Sequence, residues 1–324
     1  MYHPLWKQYS RMEKKNQKTT LKSTLKSLDT EETIDLLFYR PIGYGWALLC
    51  RKLGIVPNAV TIVSIFIGIA GGVLLGYADL TYNVVGMALI VLANSLDSAD
   101  GQLARMTGNF SRIGRILDGF CGDLWFITIY ISLCIKMMHQ GWGAYVFVLA
   151  AVAGIFHARQ ASMADYYRNF HLYMIKGKNG SELDESSKLK ELDQALPWKH
   201  NFWKKAMSFF YIRYTRGQER VSPSMQALRR LMKQQYGDDI PDWLRTQFRQ
   251  QSKPLMKYTN ILSFNTRIIV LFISVWADLP WIYFVFELTV LNLLLIYMIY
   301  SHERICAYFV NKIKTEKRWK NCAE

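Results

Sequence analysis

Six stretches of apolar residues, each close to the length needed to cross a bilayer, govern what this chain can fold into. Hydrocarbon offers the backbone no hydrogen-bond partner, so a segment that enters it must satisfy its own N–H and C=O groups, which a helix does. A spanning helix takes about 20 predominantly apolar residues. The stretches run over residues 59–77, 82–96, 123–138, 142–158, 261–276 and 281–300, and the second is the weakest because Asp97 and Asp100 cut it short. Hydrophobic residues make up 51% of the chain, yet the mean hydropathy is only +0.02, so these residues are gathered rather than spread. The expected fold is an all-α integral membrane protein with six transmembrane helices.

Charge orients these helices. The formal net charge is +15, and Lys and Arg near membrane spans stay on the cytoplasmic side. Residues 1–53, 104–115, 159–257 and 302–324 are rich in Lys and Arg, whereas the connections 78–81, 140–142 and 278–280 carry none. Six spans with both termini and the long basic segment inside satisfy this asymmetry. No short hydrophobic core is followed by a small-residue cleavage site, so the N-terminus is expected to be kept. Cys50, Cys121, Cys134, Cys306 and Cys322 are odd in number and form no CxxC pair, which argues against a disulfide framework or a thiolate zinc site. Short outer loops and the lack of targeting signals fit a bacterial inner membrane best, with an endoplasmic reticulum protein as the alternative.

Outside the spans the chain divides into a basic N-terminal tail with an interfacial amphipathic helix (1–55), a membrane core of spans one to four (56–167), a basic helical cytoplasmic insert (168–257), spans five and six (258–311) and a basic C-terminal tail (312–324). Asp29, Glu31 and Glu32 place acidic residues where a helix dipole favours them. Ile34, Leu36, Leu37, Phe38 and Trp46 beside Arg40, Arg51 and Lys52 suit a helix lying on an anionic surface, which Pro41 and Gly43 should break or kink. The insert is too apolar for a disordered linker, with helix breaks expected near 177–180, Pro197, Pro223 and 237–241. Such charge also suits nucleic acid, but no motif for it is present and membrane attachment argues against it.

Residues 94–123, NSLDSADGQLARMTGNFSRIGRILDGFCGD, carry the chemistry. Ionisable groups in spanning helices are expensive, so they pair, face a wet cavity or bind an ion. Asp97 and Asp100 are three apart and share a helix face, with Ala104 and Arg105 one turn on. Gly101 removes a side chain where something else must approach the backbone. The next helix brings Asp118 back to the same depth. An all-oxygen cluster of this kind suits Mg²⁺ or Mn²⁺ bound jointly with a substrate's phosphates, and Arg105, Arg112 and Arg115 add charge suited to a phosphate-bearing ligand. The bland alternative is that the acids and arginines neutralise one another at the membrane edge.

This stretch resembles the signature of the CDP-alcohol phosphotransferase family, D-x2-D-G-x2-A-R-x7or8-G-x3-D-x3-D. Asp97, Asp100, Gly101, Ala104, Arg105, Gly114 and Asp118 fall at the required spacings, and Pro57-Asn58-Ala59-Val60-Thr61 opens the first span as family members do. The resemblance covers residues 40–165 and does not extend through the insert. It implies that Asp97, Asp100 and Asp118 bind the divalent metal and that Gly101, Ala104 and Arg105 cradle the CDP moiety. The final Asp of the signature, the family's general base, falls at Gly122 here, with Asp123 one residue later.

On a regular helix Asp123 lies ~140° round from Asp118 rather than the ~40° of an i,i+4 pair. A one-residue π-bulge, eased by Gly119 and Gly122, would bring it back. On that reading Asp123 is base and metal ligand, and a phosphatidyl or phosphoalcohol group passes from a CDP-linked donor, CDP-diacylglycerol first, to an alcohol or phosphoalcohol acceptor with release of CMP. The alternative is a non-catalytic protein that binds metal and CDP-lipid without turnover. A cation channel through the acids is weaker, since spans five and six add little beyond Glu287. Arg159 looks similar to family arginines that hold an acceptor's phosphate; snorkelling to the interface would explain it equally. The partners implied are the lipid bilayer, the two substrates and a homodimer, which the family often forms.

Overall fold

The computed structural model describes residues 20–24, 27–181, 183–195, 197 and 202–323; the expected basic tail at 1–19 lies outside the described residues, as do the side chains of residues 316–323. Every regular element among the described residues is helical, and six helical segments are long and apolar enough to cross a membrane: 57–74, 80–107, 119–139, 146–176, 242–276 and 281–315. The protein is an all-α integral membrane protein. The chain divides into two compact units, residues up to 75 together with 84–129, and residues 76–83 together with 130–324.

In the first unit, a π-helical turn at Asp35–Tyr39 leads directly into α1, Arg40–Lys52. Pro41 has no N–H to return to the preceding turn and its ring crowds that turn's carbonyl. The chain meets this by widening: Arg40 N–H reaches five residues back to Asp35 O, and the helix continues without a break. Gly54, at φ 72°, ends α1 in the left-handed region. Helix α2, Pro57–Leu74, starts at a proline after an extended Val56, the arrangement that suits a residue lacking a donor. Helix α3 spans Leu80–Thr107 and passes straight through Asp97 and Asp100 before Gly108, at φ 67°. Helix α4 spans Arg112–His139.

Between helices in lipid there is no hydrophobic gain, and close approach through small residues does the packing. An added Cβ at Gly68 would lie 2.1 Å from Trp125 Nε1, and one at Gly71 would lie 2.8 Å from Gly86 O. Gly68 thus seats α4 on α2, and Gly71 with Gly86 seats α3 on its other side. Helix α1 joins through Gly43, where a Cβ would fall 2.9 Å from Ser98 Oγ, and through a small core of Ala47, Cys50, Val60, Leu96, Ala99 and Leu103.

The second unit is built on α5, Val146–Lys176, one unbroken helix that runs well beyond its apolar stretch. From Ser162 to Met174 nearly every residue is buried, so this half is a helix enclosed on all sides. Around it lie α6 (Ser186–Ala195), α7 (Phe202–Val221), α8 (Pro223–Tyr236), α9 (Asp242–Ile261), α10 (Phe264–Trp276), α11 (Trp281–Leu288) and α12 (Val290–Ala323). Tyr167, Phe170, Met225, Leu228, Phe248 and Phe309 join α5, α8, α9 and α12 in one core. The expected breaks near 177–180, 223 and 237–241 fall at Gly177 (φ 74°), at Pro223 opening α8, and at Gly237 (φ 64°) with Pro241 preceding α9.

Two polar features hold this unit together. Arg267 (1% exposed) and Glu287 (0%) form a buried ion pair at 2.5 Å, and Arg267 Nη2 donates to Gln160 Oε1 at 2.7 Å. Tyr283 donates to the same Glu287 oxygen at 2.8 Å, and His157 Nδ1 lies 3.0 Å from Arg267 Nη1 and 3.2 Å from the Tyr130 hydroxyl. Gln160 Nε2 continues the network to Asn292 Oδ1 at 2.8 Å. At the chain's other turns, Lys136 Nζ donates to Asn83 Oδ1 at 2.7 Å and pairs with Asp278 at 3.1 Å, while Gln140 reaches the Asp278 carbonyl at 3.0 Å. The three connections without Lys or Arg are thereby gathered at one end of the unit.

Candidate active site

Asp97, Asp100, Gly101, Ala104 and Arg105 all lie on the last turns of α3. Asp100 is buried and accepts a hydrogen bond from Thr61 of α2, which sits one turn after Pro57. Asp97 is half-buried. Arg105 folds back along α3, so that the atoms nearest a Cβ built at Gly101 are its guanidinium Nη1 and Nη2, each at 3.5 Å, with Cζ behind them. Without a Cβ at Gly101 the guanidinium of Arg105 can lie close against α3, where it is the hydrogen-bond donor beside the two carboxylates.

The opposite side of this turn of α3 is clamped. Gln102 donates to Arg40 O at 3.1 Å, and Arg40 holds Glu31 through both Nε (2.9 Å) and Nη2 (3.3 Å) and touches Ser98 Oγ at 3.3 Å. Tyr39 makes a side-chain hydrogen bond with Asn94, and its burial pushes the phenol above its ordinary pKa. The helix that carries the acids is thus fixed by α1 behind it and by Thr61 beside it.

Helix α4 begins against α2. Ser111 Oγ donates to Asn58 Oδ1 at 3.1 Å and accepts the Gly114 N–H at 2.8 Å, and an added Cβ at Gly114 would sit 2.5 Å from that Asn58 oxygen. Gly114, a signature position, is explained by this close approach. The side chains of Arg112, Arg115 and Asp118 lie outside the described residues, although their backbone is helical. The register of α4 is set by Cys121, which is buried, hydrogen-bonds Asp97 and lies 3.5 Å from Ser64 Oγ. Asp118 is three residues before Cys121 in the sequence of α4.

Helix α4 continues as a regular α-helix through Gly119, Gly122 and Asp123, so the π-bulge expected there is not formed. Asp123 is two residues after Cys121 and hence about 160° away round the helix. It is exposed, on a stripe with Phe120, Ile127 and Ile131. Gly122 occupies the i+4 position from Asp118, and a Cβ there would meet nothing within 4 Å. In the second unit, Arg159 of α5 is half-buried and donates from Nη2 to the Gly217 carbonyl of α7 at 3.0 Å.

Among the described residues searched, no group of three His, Cys, Asp or Glu side chains could hold a metal ion. The two described carboxylates are nevertheless a hard oxygen donor pair one turn apart, which is the donor chemistry that Mg²⁺ and Mn²⁺ take. Thr61, Ser64 and Cys121 are the site neighbours that motif spacing did not reveal. Thr61 alone left a signal, as the residue one helical turn after the opening proline.

Asp97 and Asp100 near the end of one membrane helix, with Arg105 one turn on and Cys121 of a second helix against Asp97, form the candidate site. Residues 54–176 match the family model of the CDP-alcohol phosphatidyltransferases, and this domain takes in α2 to α5 with all the signature residues. That family transfers phosphatidyl groups from a CDP-alcohol and is generally dependent on a divalent metal. No curated protein and no solved structure matches the chain.

Proposed function

We propose that this protein is a phospholipid-synthesising phosphotransferase that moves a phosphatidyl group from CDP-diacylglycerol to an alcohol or phosphoalcohol acceptor, releasing CMP. The observation that supports it is the coincidence, inside the matched domain, of Asp97, Asp100, Gly101 and the Arg105 guanidinium on the last turns of α3, with Cys121 of α4 against Asp97.

Asp97, Asp100 and Asp118 would hold Mg²⁺ or Mn²⁺, which when bound supplies positive charge to the donor's pyrophosphate. Gly101 and Ala104 let the CDP group lie against α3, and Arg105 donates to its phosphate oxygens. Thr61 holds Asp100 as an acceptor with a fixed lone pair. Arg112 and Arg115 attract the phosphate of a phosphoalcohol acceptor. The acceptor hydroxyl must lose a proton as its oxygen bonds to the phosphorus that carries the diacylglycerol, and the bond to CMP breaks. Asp123 is the base proposed for that proton, and it acts only if α4 rewinds about Gly119 and Gly122, where the helix surface is open.

The outward position of Asp123 favours a second reading, in which metal and CDP-lipid bind without turnover. Both are tested by acceptor-dependent CMP release from the purified protein with CDP-diacylglycerol and Mg²⁺, beside CDP-lipid binding. Asp97→Asn should abolish binding on either reading. Transfer that is lost in Asp123→Asn establishes the base; transfer that survives in that variant removes Asp123 from the mechanism. Binding without CMP release from any acceptor establishes the second reading.

A further inference from the structure

We propose that α7, Phe202–Val221, lies in the plane of the membrane interface and binds anionic phospholipid: its aromatic side chains enter the acyl boundary and its arginines hold headgroup phosphates.

The depth of α7 is set by α5. The exposed apolar residues of α5, Val148, Val152, Ile155 and Phe156, stop at Phe156. One turn later Arg159 donates to Gly217 of α7, and Gln218 of α7 donates back to the Ser162 carbonyl at 2.9 Å. A Cβ on Gly217 would fall 2.9 Å from Arg159 Nη1, so the Arg159 side chain lies over α7 at that level. The Gly217–Gln218 turn of α7 is therefore held within about one helical turn, ~5 Å, of the last exposed large apolar residue of α5. That is the layer in which an amphipathic helix buries its apolar side among acyl chains.

The exposed side chains of α7 have the matching chemistry. Phe210 is 70% exposed and Phe209 54%, with Tyr214 beside them. Arg213, Arg216 and Arg220 are exposed on the adjoining strip, and the Arg213 guanidinium lies 5.7 Å from the Phe209 ring centre. The one acid of α7, Glu219, is turned inward to the Ser186 N–H and hydroxyl. Tyr211, on the far flank, donates to the exposed Asp184 at 2.7 Å, but the strip of Arg213, Arg216 and Arg220 beside the aromatics includes no acid of α7 and complements a negatively charged lipid surface.

The test uses the full chain in vesicles of phosphatidylcholine alone or with phosphatidylglycerol, with benzoylphenylalanine placed at Phe210 and, for reference, at Ile155. Illumination should yield phospholipid adducts at Phe210 comparable in amount to those at Ile155. No lipid adduct at Phe210, or a crosslink to a second copy of the chain instead, would overturn the proposal. The Arg213→Gln, Arg216→Gln, Arg220→Gln variant should lose its preference for retaining phosphatidylglycerol over phosphatidylcholine, by up to about fivefold per arginine; unchanged retention would overturn the headgroup assignment.

Discussion

Three glycines of α4 have different work to do, although they lie within nine residues of one another. Gly114 faces Asn58 so closely that alanine there must displace the Asn58 and Ser111 side chains and their hydrogen bond, whereas Gly119 and Gly122 have nothing within 4 Å of an added Cβ. Gly114→Ala is therefore expected to destabilise the protein by about 1–3 kcal/mol, and Asn58→Ala in the same chain should recover part of it. Gly122→Ala should instead stabilise by roughly 0.5–1 kcal/mol, because glycine in a helix interior loses more freedom on folding. Thermal unfolding in detergent reads all three. Gly122→Asp belongs to the same scale: it places a carboxylate one turn beyond Asp118 without a clash. If Asp123 is out of reach on the regular helix, this variant should raise acceptor-dependent CMP release, and an unchanged rate would remove position 122 from the mechanism.

At the level of elements, the Arg267–Glu287 pair ties α10 to α11, and through His157, Gln160, Tyr130 and Asn292 to α4, α5 and α12. Breaking a buried pair leaves one charge uncompensated, which costs about 3–5 kcal/mol. Glu287→Leu should accordingly unfold at a much lower temperature, and Arg267→Met with Glu287→Leu should be less impaired than the sum of the single changes. An additive double variant would show that the two side chains do not act as a pair. A second clasp holds the start of α6 to α8: Glu185 pairs with Lys188 at 2.8 Å and Arg229 at 3.3 Å, and Arg229 also donates to the Asp184 carbonyl at 3.0 Å. Burial raises the Glu185 pKa, but the Lys188 hydrogen bond and the charge of Arg229 outweigh it and hold the carboxyl below its usual 4.5. A depressed carboxylate stabilises fully above its unfolded pKa and loses that contribution as pH falls through the folded one. Hydrogen exchange over residues 183–188, corrected for intrinsic rates, should thus rise below pH 4.5 in the wild type, and Arg229→Met should show that faster exchange already at neutral pH.

For the whole molecule, the joining of connections 78–81, 140–142 and 278–280 by Lys136, Asn83, Gln140 and Asp278 is what an even number of antiparallel spans requires. Their lack of Lys and Arg predicts that this end faces away from the cytoplasm. Single cysteines at Ala78 and Leu279, in a chain with Cys322→Ser, should react with an impermeant maleimide from the outer side, and one at Lys178 only after permeabilisation. Cys50, Cys121, Cys134 and Cys306 are buried and should contribute little background. Labelling of positions 78 and 279 from opposite sides would contradict the six-span arrangement.

Length and composition of the apolar stretches determined the helical membrane fold, because hydrocarbon leaves the backbone no other way to satisfy its hydrogen bonds. The carboxylate motif was legible for the same reason: Asp97 and Asp100 are costly where they stand, and regular spacing along a helix is a local property. Tertiary structure decided what depends on neighbours distant in sequence. It extended α3 through its acids, by binding Asp100 to Thr61 and backing the helix with Arg40, and it carried α5 on to Lys176 as the centre of the insert. It paired Arg267 with Glu287 across the sequence, which neither apolar stretch discloses. It also left Asp123 on the outer stripe of α4, because Cys121 packs against Asp97 and a regular helix cannot present two residues about 160° apart to the same partner.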